Sequence, residues 1–221
     1  MTNILLSSYN IAAGWCMPAL SRYITAGAKV AVLAYSFRAD VPDNAAWENL
    51  YGDGGAVRVG IAKSFAPYDV NKIFCINYFD DRTDRARAAV AQADILYLPW
   101  GMPDLLMSRV LERGLYLDIA NFRGTVIGIA AGAQVQLDRY HITPGKDHPS
   151  FAYSTGFGFI SGIDIEPRYD PGNAEAGNAL VRVARERGVP VYGIAEAGGI
   201  VIDGGKAELI GEVYQARDKE Q

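Results

Sequence analysis

The chain has 221 residues, half of them hydrophobic and 21% charged, with a formal net charge of −4. That usage excludes a disordered or low-complexity chain, and the acidic balance lacks the Lys/Arg surplus of a nucleic-acid binder. A length of this order suits one domain that buries a core without disulfides or metal, so residues 1–221 are read as a single domain.

Residues 3–7 read as a first strand, and 18–27 as a helix with Pro18 near its start and Gly27 at its end. Residues 29–35 form a continuous apolar run, the pattern of a strand buried on both faces. Residues 44–50 suggest a short helix, 73–77 a strand, 83–93 an alanine-rich helix and 95–98 another buried strand. A helix over 103–113 closes at Gly114, and a strand over 125–129 runs directly into 131–135. Residues 150–169 suggest short strands and loops. Residues 173–187 form a strong helix, with Gly177, Leu180, Val181 and Ala184 in one stripe, ended by Gly188 and Pro190. A strand over 191–195 precedes a hairpin of 200–203 and 206–210 around Gly204-Gly205. Strands alternating with helices predict an α/β fold: a mostly parallel sheet with helices on both faces and an antiparallel hairpin near the C-terminus.

Several classes of function carry no signal. The first residues hold no Lys or Arg before a short apolar stretch, and no window offers ~18 apolar residues, so a soluble cytoplasmic protein without a membrane partner is expected. Cys16 and Cys75 are far apart and form no C-x-x-C pair. His141 and His148 are the only histidines, too few for a histidine-rich metal cage, so neither metal nor cofactor is expected. Gly52-Asp53-Gly54-Gly55 lacks the G-K-[ST] ending of a phosphate loop and reads as a turn.

Sites in parallel α/β sheets form at the carboxyl ends of strands. The most telling such end is Gly128-Ile129-Ala130-Ala131-Gly132-Ala133, which has the G-x-S-x-G frame of a nucleophile elbow with alanine at the apex. Alanine has no hydroxyl to attack a carbonyl. The plainer reading is a glycine-rich turn made for packing.

From Ile95 onward the order of motifs resembles the dipeptidase E and cyanophycinase family of serine peptidases, which share the class I glutamine-amidotransferase-like fold. The resemblance rests on Leu98-Pro99-Trp100-Gly101-Met102-Pro103 after a strand, Arg113-Gly114 after a helix, and the 128–133 segment. It continues in Glu166-Pro167-Arg168-Tyr169 and Gly193-Ile194-Ala195-Glu196. The resemblance places the family's nucleophile at Ala130, its general-base histidine at Arg168, and its acidic member within 143–147, with Asp147 as the match. Arginine stays protonated across the physiological range and accepts no proton, so two triad members are replaced.

The resemblance therefore implies an inactive homologue that keeps a pocket. Backbone N–H groups near Gly101, Met102 and Ala131 would form an oxyanion hole at a helix N-terminus. Arg168 would face a small carboxylate, an amino acid or an acidic peptide, and Glu196 its amine. Alternatively, Glu166 or Glu196 neutralises Arg168 internally, and Glu196 is a structural carboxylate. Two other functions stay open. One is an active hydrolase with an unusual nucleophile or base: Cys16 before a helix, or the loop histidines His141 and His148 near Asp138 and Asp147. The other is a structural protein without ligand. The chain is expected to be a monomer or homodimer.

Overall fold

The computed structural model of the chain describes residues 1–80 and 82–216. Strand β1 (Thr2–Leu6) is buried along its whole length. Helix α1 (Met17–Leu20) is one turn, shorter than the helix expected over 18–27. Ser21 Oγ donates to the Met17 carbonyl at 2.8 Å, a local bond that competes with the helical ladder, and Tyr23, Ile24 and Thr25 beyond it are poor helix formers.

Strand β2 (Lys29–Leu33) is followed by α2 (Asn44–Tyr51), capped by the Asp43 carboxylate, which accepts from the Ala46 N–H at 2.9 Å. Helix α3 (Ala56–Phe65) was not among the expected elements, although Val57, Ile61 and Phe65 recur at four-residue spacing and the last two are buried. Then come β3 (Lys72–Ile76), α4 (Thr83–Gln92), β4 (Ile95–Leu98), α5 (Pro103–Glu112) and the short α6 (Tyr116–Ala120). Strand β5 (Thr125–Ile129) leads into the single turn α7 (Ala131–Gln134).

Strands β6 (Arg139–Ile142) and β7 (Ala152–Thr155) form a separate antiparallel hairpin, and β8 (Asp164–Pro167) follows. Helix α8 (Ala174–Arg187) is capped by Asn173 and closed by Gly188 in the left-handed region, as the sequence suggests. Its most buried side chains are Leu180 and Val183, so the inner stripe is turned slightly from the one expected and packs on Val191. Strands β9 (Val191–Asp203) and β10 (Lys206–Gln215) make one long hairpin, where two separate segments were expected.

The main sheet has eight strands in the order β10-β9-β1-β5-β4-β2-β3, with β8 beside β9. β1, β5, β4, β2 and β3 are mutually parallel, while β9 runs antiparallel to β1 and β10. β9 changes partner along its length: Val191–Ile194 pairs with β8, and Gly199–Asp203 pairs with β1.

Successive residues of β1 serve opposite faces, because strand side chains alternate. Leu5 joins a core built with Leu106, Val110 and Ile119 of α5 and α6, whereas Ile4 and Leu6 join one built with Trp47, Ile61 and Phe65 of α2 and α3. The sheet is thus covered on both faces, as expected for a parallel α/β fold. The registers Leu6 opposite Ile129 and Leu98 opposite Gly128 bring the carboxyl ends of β1, β4 and β5 to one edge. Among the described residues no helix is long and apolar enough to cross a membrane.

Candidate functional site

At that edge, Ala130 stands between β5 and α7 with φ 49° and ψ −106°, a strained region for a residue with a Cβ. Its N–H donates to the Leu6 carbonyl at 2.7 Å, and its own carbonyl accepts from Ala133 and Gln134, so the bend is fixed from both sides. The flanking glycines have no room for a side chain. A Cβ at Gly128 would lie 2.1 Å from the Gly132 carbonyl oxygen, and one at Gly132 would lie 2.0 Å from that of Leu98.

The loop after β4 is held just as tightly. Ser36, beyond β2, donates through Oγ to the Trp100 carbonyl at 2.7 Å and accepts from the Met102 N–H at 2.7 Å. Gly101 has φ 142°, and a Cβ there would meet the Ser36 carbonyl oxygen at 2.1 Å. The Met102 N–H is thereby spent on structure. Ala131 N–H is in the first turn of α7 and has no acceptor within the helix. The helix N-terminus expected to attract an anion is weaker than the sequence suggested, because α7 has four residues and a single turn carries little dipole.

Arg168 follows β8 with φ 57°. Its backbone N–H donates to Ser7 Oγ at 2.8 Å, and Ser7 Oγ donates to the Ile194 carbonyl at 2.6 Å. This clamp ties the end of β8 to the end of β1. The Arg168 side chain is exposed, and among the described residues no carboxylate lies within salt-bridge reach of it. Neither Glu166 nor Glu196 neutralises it. Because the guanidinium is hydrated, its charge carries little of the burial cost expected for a semi-enclosed site.

A cavity of about 460 Å³ gathers most of the expected residues: Gly101, Met102, Ala130, Ala131, Asp147 and Arg168. Glu196 is not among its lining residues and is exposed on β9. Asp147 forms an ion pair with Arg38, beyond β2, rather than with Arg168. Arg38, Trp100, Gln134, Thr143 and His148 also line the cavity. Arg38 and Trp100 follow the carboxyl ends of β2 and β4, where the strand-end rule would have found them.

The two histidines divide. His148 lines the cavity with Nε2 3.2 Å from Asp104 Oδ1, in the first turn of α5. His141 was expected in a loop, but it lies on β6 with no exposed surface. Its Nε2 is 2.8 Å from Glu166 Oε2, and its Nδ1 is 3.1 Å from Asp164 Oδ1. Arg187 pairs with the second Asp164 oxygen, and Thr143 Oγ1 donates to Glu166. Arg187, Asp164, His141 and Glu166 thus form a row of alternating charge. Burial opposes protonation of His141, but the two carboxylates outweigh it and raise its pKa from 6.5 to about 9. The carboxylates sit at opposite ring nitrogens, and among the described residues no group of His, Cys, Asp and Glu is arranged to hold a metal.

Cys16 is not a poised nucleophile. It is fully buried, burial pushes its pKa up to about 11, and its thiol donates to the Ile11 and Ala13 carbonyls, bonds that only the protonated form can make. Cys75 is buried as well and pushed up to about 12.

No protein-family model matches the chain, and neither does any curated protein. Solved structures do match. One, a protein from Listeria monocytogenes EGD-e named for peptidase E, superposes with a TM-score of 0.66 over 94% of this chain and 96% of its own, at 14% identity. Another, a peptidase from an acI-B1 actinobacterium, gives a TM-score of 0.61 over 99% and 95% at 16% identity. With its mostly parallel sheet and C-terminal antiparallel strands, the chain has the peptidase E-like fold.

Proposed function

We propose that this chain is a binding protein on a peptidase E-like fold, without triad chemistry, whose cavity takes a small carboxylate of amino-acid type. The observation that carries the reading is the pairing of a strained bend at Ala130 with an arginine left without a carboxylate partner at the same cavity. The bend has a fixed backbone geometry, but its apex has no nucleophilic atom and position 168 offers no proton acceptor. Arg168 instead presents a permanent charge and a fork of donors suited to a carboxylate. Asp147 takes over the role first given to Glu196, as the cavity acid able to face an ammonium group.

The test is calorimetric titration with alanine, phenylalanine, aspartate and short acidic peptides, on the wild type and Arg168→Ala. Binding that needs Arg168 supports the reading. No heat with any of them, or equal affinity in Arg168→Ala, overturns it.

A second reading is favoured by His148 beside Asp104. Among the described residues His148 Nε2 has no hydrogen-bond partner, although the Asp104 carboxylate stands 3.2 Å away, and a histidine so placed at a cavity is a candidate general base for water attacking a carbonyl. Turnover of activated esters by the wild type that disappears in His148→Gln would establish it.

A further inference from the structure

The cavity is lined by two unlike kinds of side chain. Its lining includes large apolar side chains, Trp100, Met102 and Ile142, as well as the charged Arg38, Asp147 and Arg168. Trp100 is half-buried, and Tyr9 packs on it with ring centroids 5.3 Å apart and planes tilted by 35°. Tyr9 itself is 52% exposed, so an aromatic pair with an open flank stands at the rim. Nothing in the fold requires this pair for a core: Trp100 sits at the margin of the sheet's second core, and Tyr9 is outside it.

The charges narrow the ligand further. Arg38 is already engaged by Asp147, which leaves Arg168 as the cavity guanidinium without a carboxylate partner among the described residues. A ligand with two carboxylates would leave one facing Asp147. A ligand with one carboxylate and one ammonium gives Arg168 its partner and sets its cation beside Asp147, whose carboxylate it would share with Arg38. A small zwitterion such as alanine would leave the Trp100 ring against water. The cavity, at about 460 Å³, falls in the range of sites for larger small molecules, roughly 300–1,000 Å³.

We infer that the cavity is built for an aromatic amino acid, its carboxylate on Arg168, its ammonium towards Asp147 and its ring on Trp100. This rests on the carboxylate-binding reading above and adds the identity of the side chain. Aromatic rings are drawn to such a ring by burial and by offset or edge-on ring contact.

The experiment compares L-phenylalanine, L-alanine and L-aspartate by calorimetry on the full chain. Phenylalanine is expected to bind about ten- to a hundredfold more tightly than alanine, the range that burying a phenyl group gives. Trp100→Leu is expected to bring phenylalanine down towards the alanine value and leave alanine unchanged within a factor of about two. If Trp100→Leu loses its melting transition, Tyr9→Ser at the exposed rim answers the same question: a several-fold loss for phenylalanine alone supports the inference, and no loss overturns it. Equal binding of the three amino acids, or preference for aspartate, overturns the aromatic assignment while the carboxylate reading stands. No binding by any of them removes both.

Discussion

His141 Nε2 lies 2.8 Å from the Glu166 carboxylate at a position where the ring has no exposed surface. With Asp164 on its other nitrogen, the imidazole is held protonated, and its pKa rises from 6.5 to about 9. A group whose pKa is raised on folding contributes stability that is complete below the unfolded value and is lost as pH climbs through the folded one. The melting temperature is therefore expected to decline between pH 6.5 and about 9, a range in which few other groups titrate. Differential scanning calorimetry across that range checks it, and a flat profile would mean the ring is neutral in the folded protein.

Removing the imidazole should cost more than its own contacts. His141→Ala leaves Asp164 and Glu166 inside the fold with one cation, Arg187, which pairs with Asp164 and leaves Glu166 without a countercharge among the described residues. An uncompensated buried charge costs about 3–5 kcal/mol, measurable as a lower urea midpoint. His141→Ala combined with Glu166→Gln should recover part of that loss.

The bend at Ala130 makes opposite predictions for neighbouring positions. Ala130→Gly relieves the positive φ and should stabilise by about 1 kcal/mol. Gly132→Ala forces a methyl to 2.0 Å from the Leu98 carbonyl oxygen and should destabilise by about 3 kcal/mol or more. Chemical denaturation of the two variants gives both signs in one experiment.

Ala130→Ser alone is expected to create no peptidase, since a serine needs a base within reach and Arg168 is not one. Ala130→Ser with Arg168→His should recover a trace of turnover on aspartyl dipeptides or activated esters. Substantial activity of the single variant would identify His148 as base, because His141 is sealed behind Glu166 and Asp164. Adding His148→Gln would then abolish it.

Both thiols should be inert in the native protein. Burial holds Cys16 near 11 and Cys75 near 12, so little thiolate exists at pH 8. Ellman's reagent should report no free thiol until denaturant is added, then two.

What the sequence revealed and what it hid follow from how each feature is encoded. The runs in β2, β4 and β5 were legible because strands buried on both faces are apolar throughout. The bend at Ala130 was legible because glycines at 128 and 132 are steric necessities. The partner change along β9 was not, since pairing with β8 and then β1 is decided by residues far away in sequence. His141 looked like a loop residue because its strand is only four residues long and ends near Pro144, and the two carboxylates that permit its burial lie 23 and 25 positions onward. Asp147 carried the right charge, but its partner Arg38 is 109 positions away. Glu196 matched a motif by order along the chain, yet it does not line the cavity.

The conformation of Ala130 has a consequence in the language of the genetic code. Any alanine codon becomes a serine codon by changing its first base. A strained apex at positive φ, wedged between glycines and tied to Leu6, already stands in this chain. A hydroxyl at its tip is therefore one nucleotide away. On the proposed reading, binding and acyl chemistry would be neighbours in sequence space, separated at the apex by a single mutational step and at position 168 by the need for a side chain that can let go of its proton.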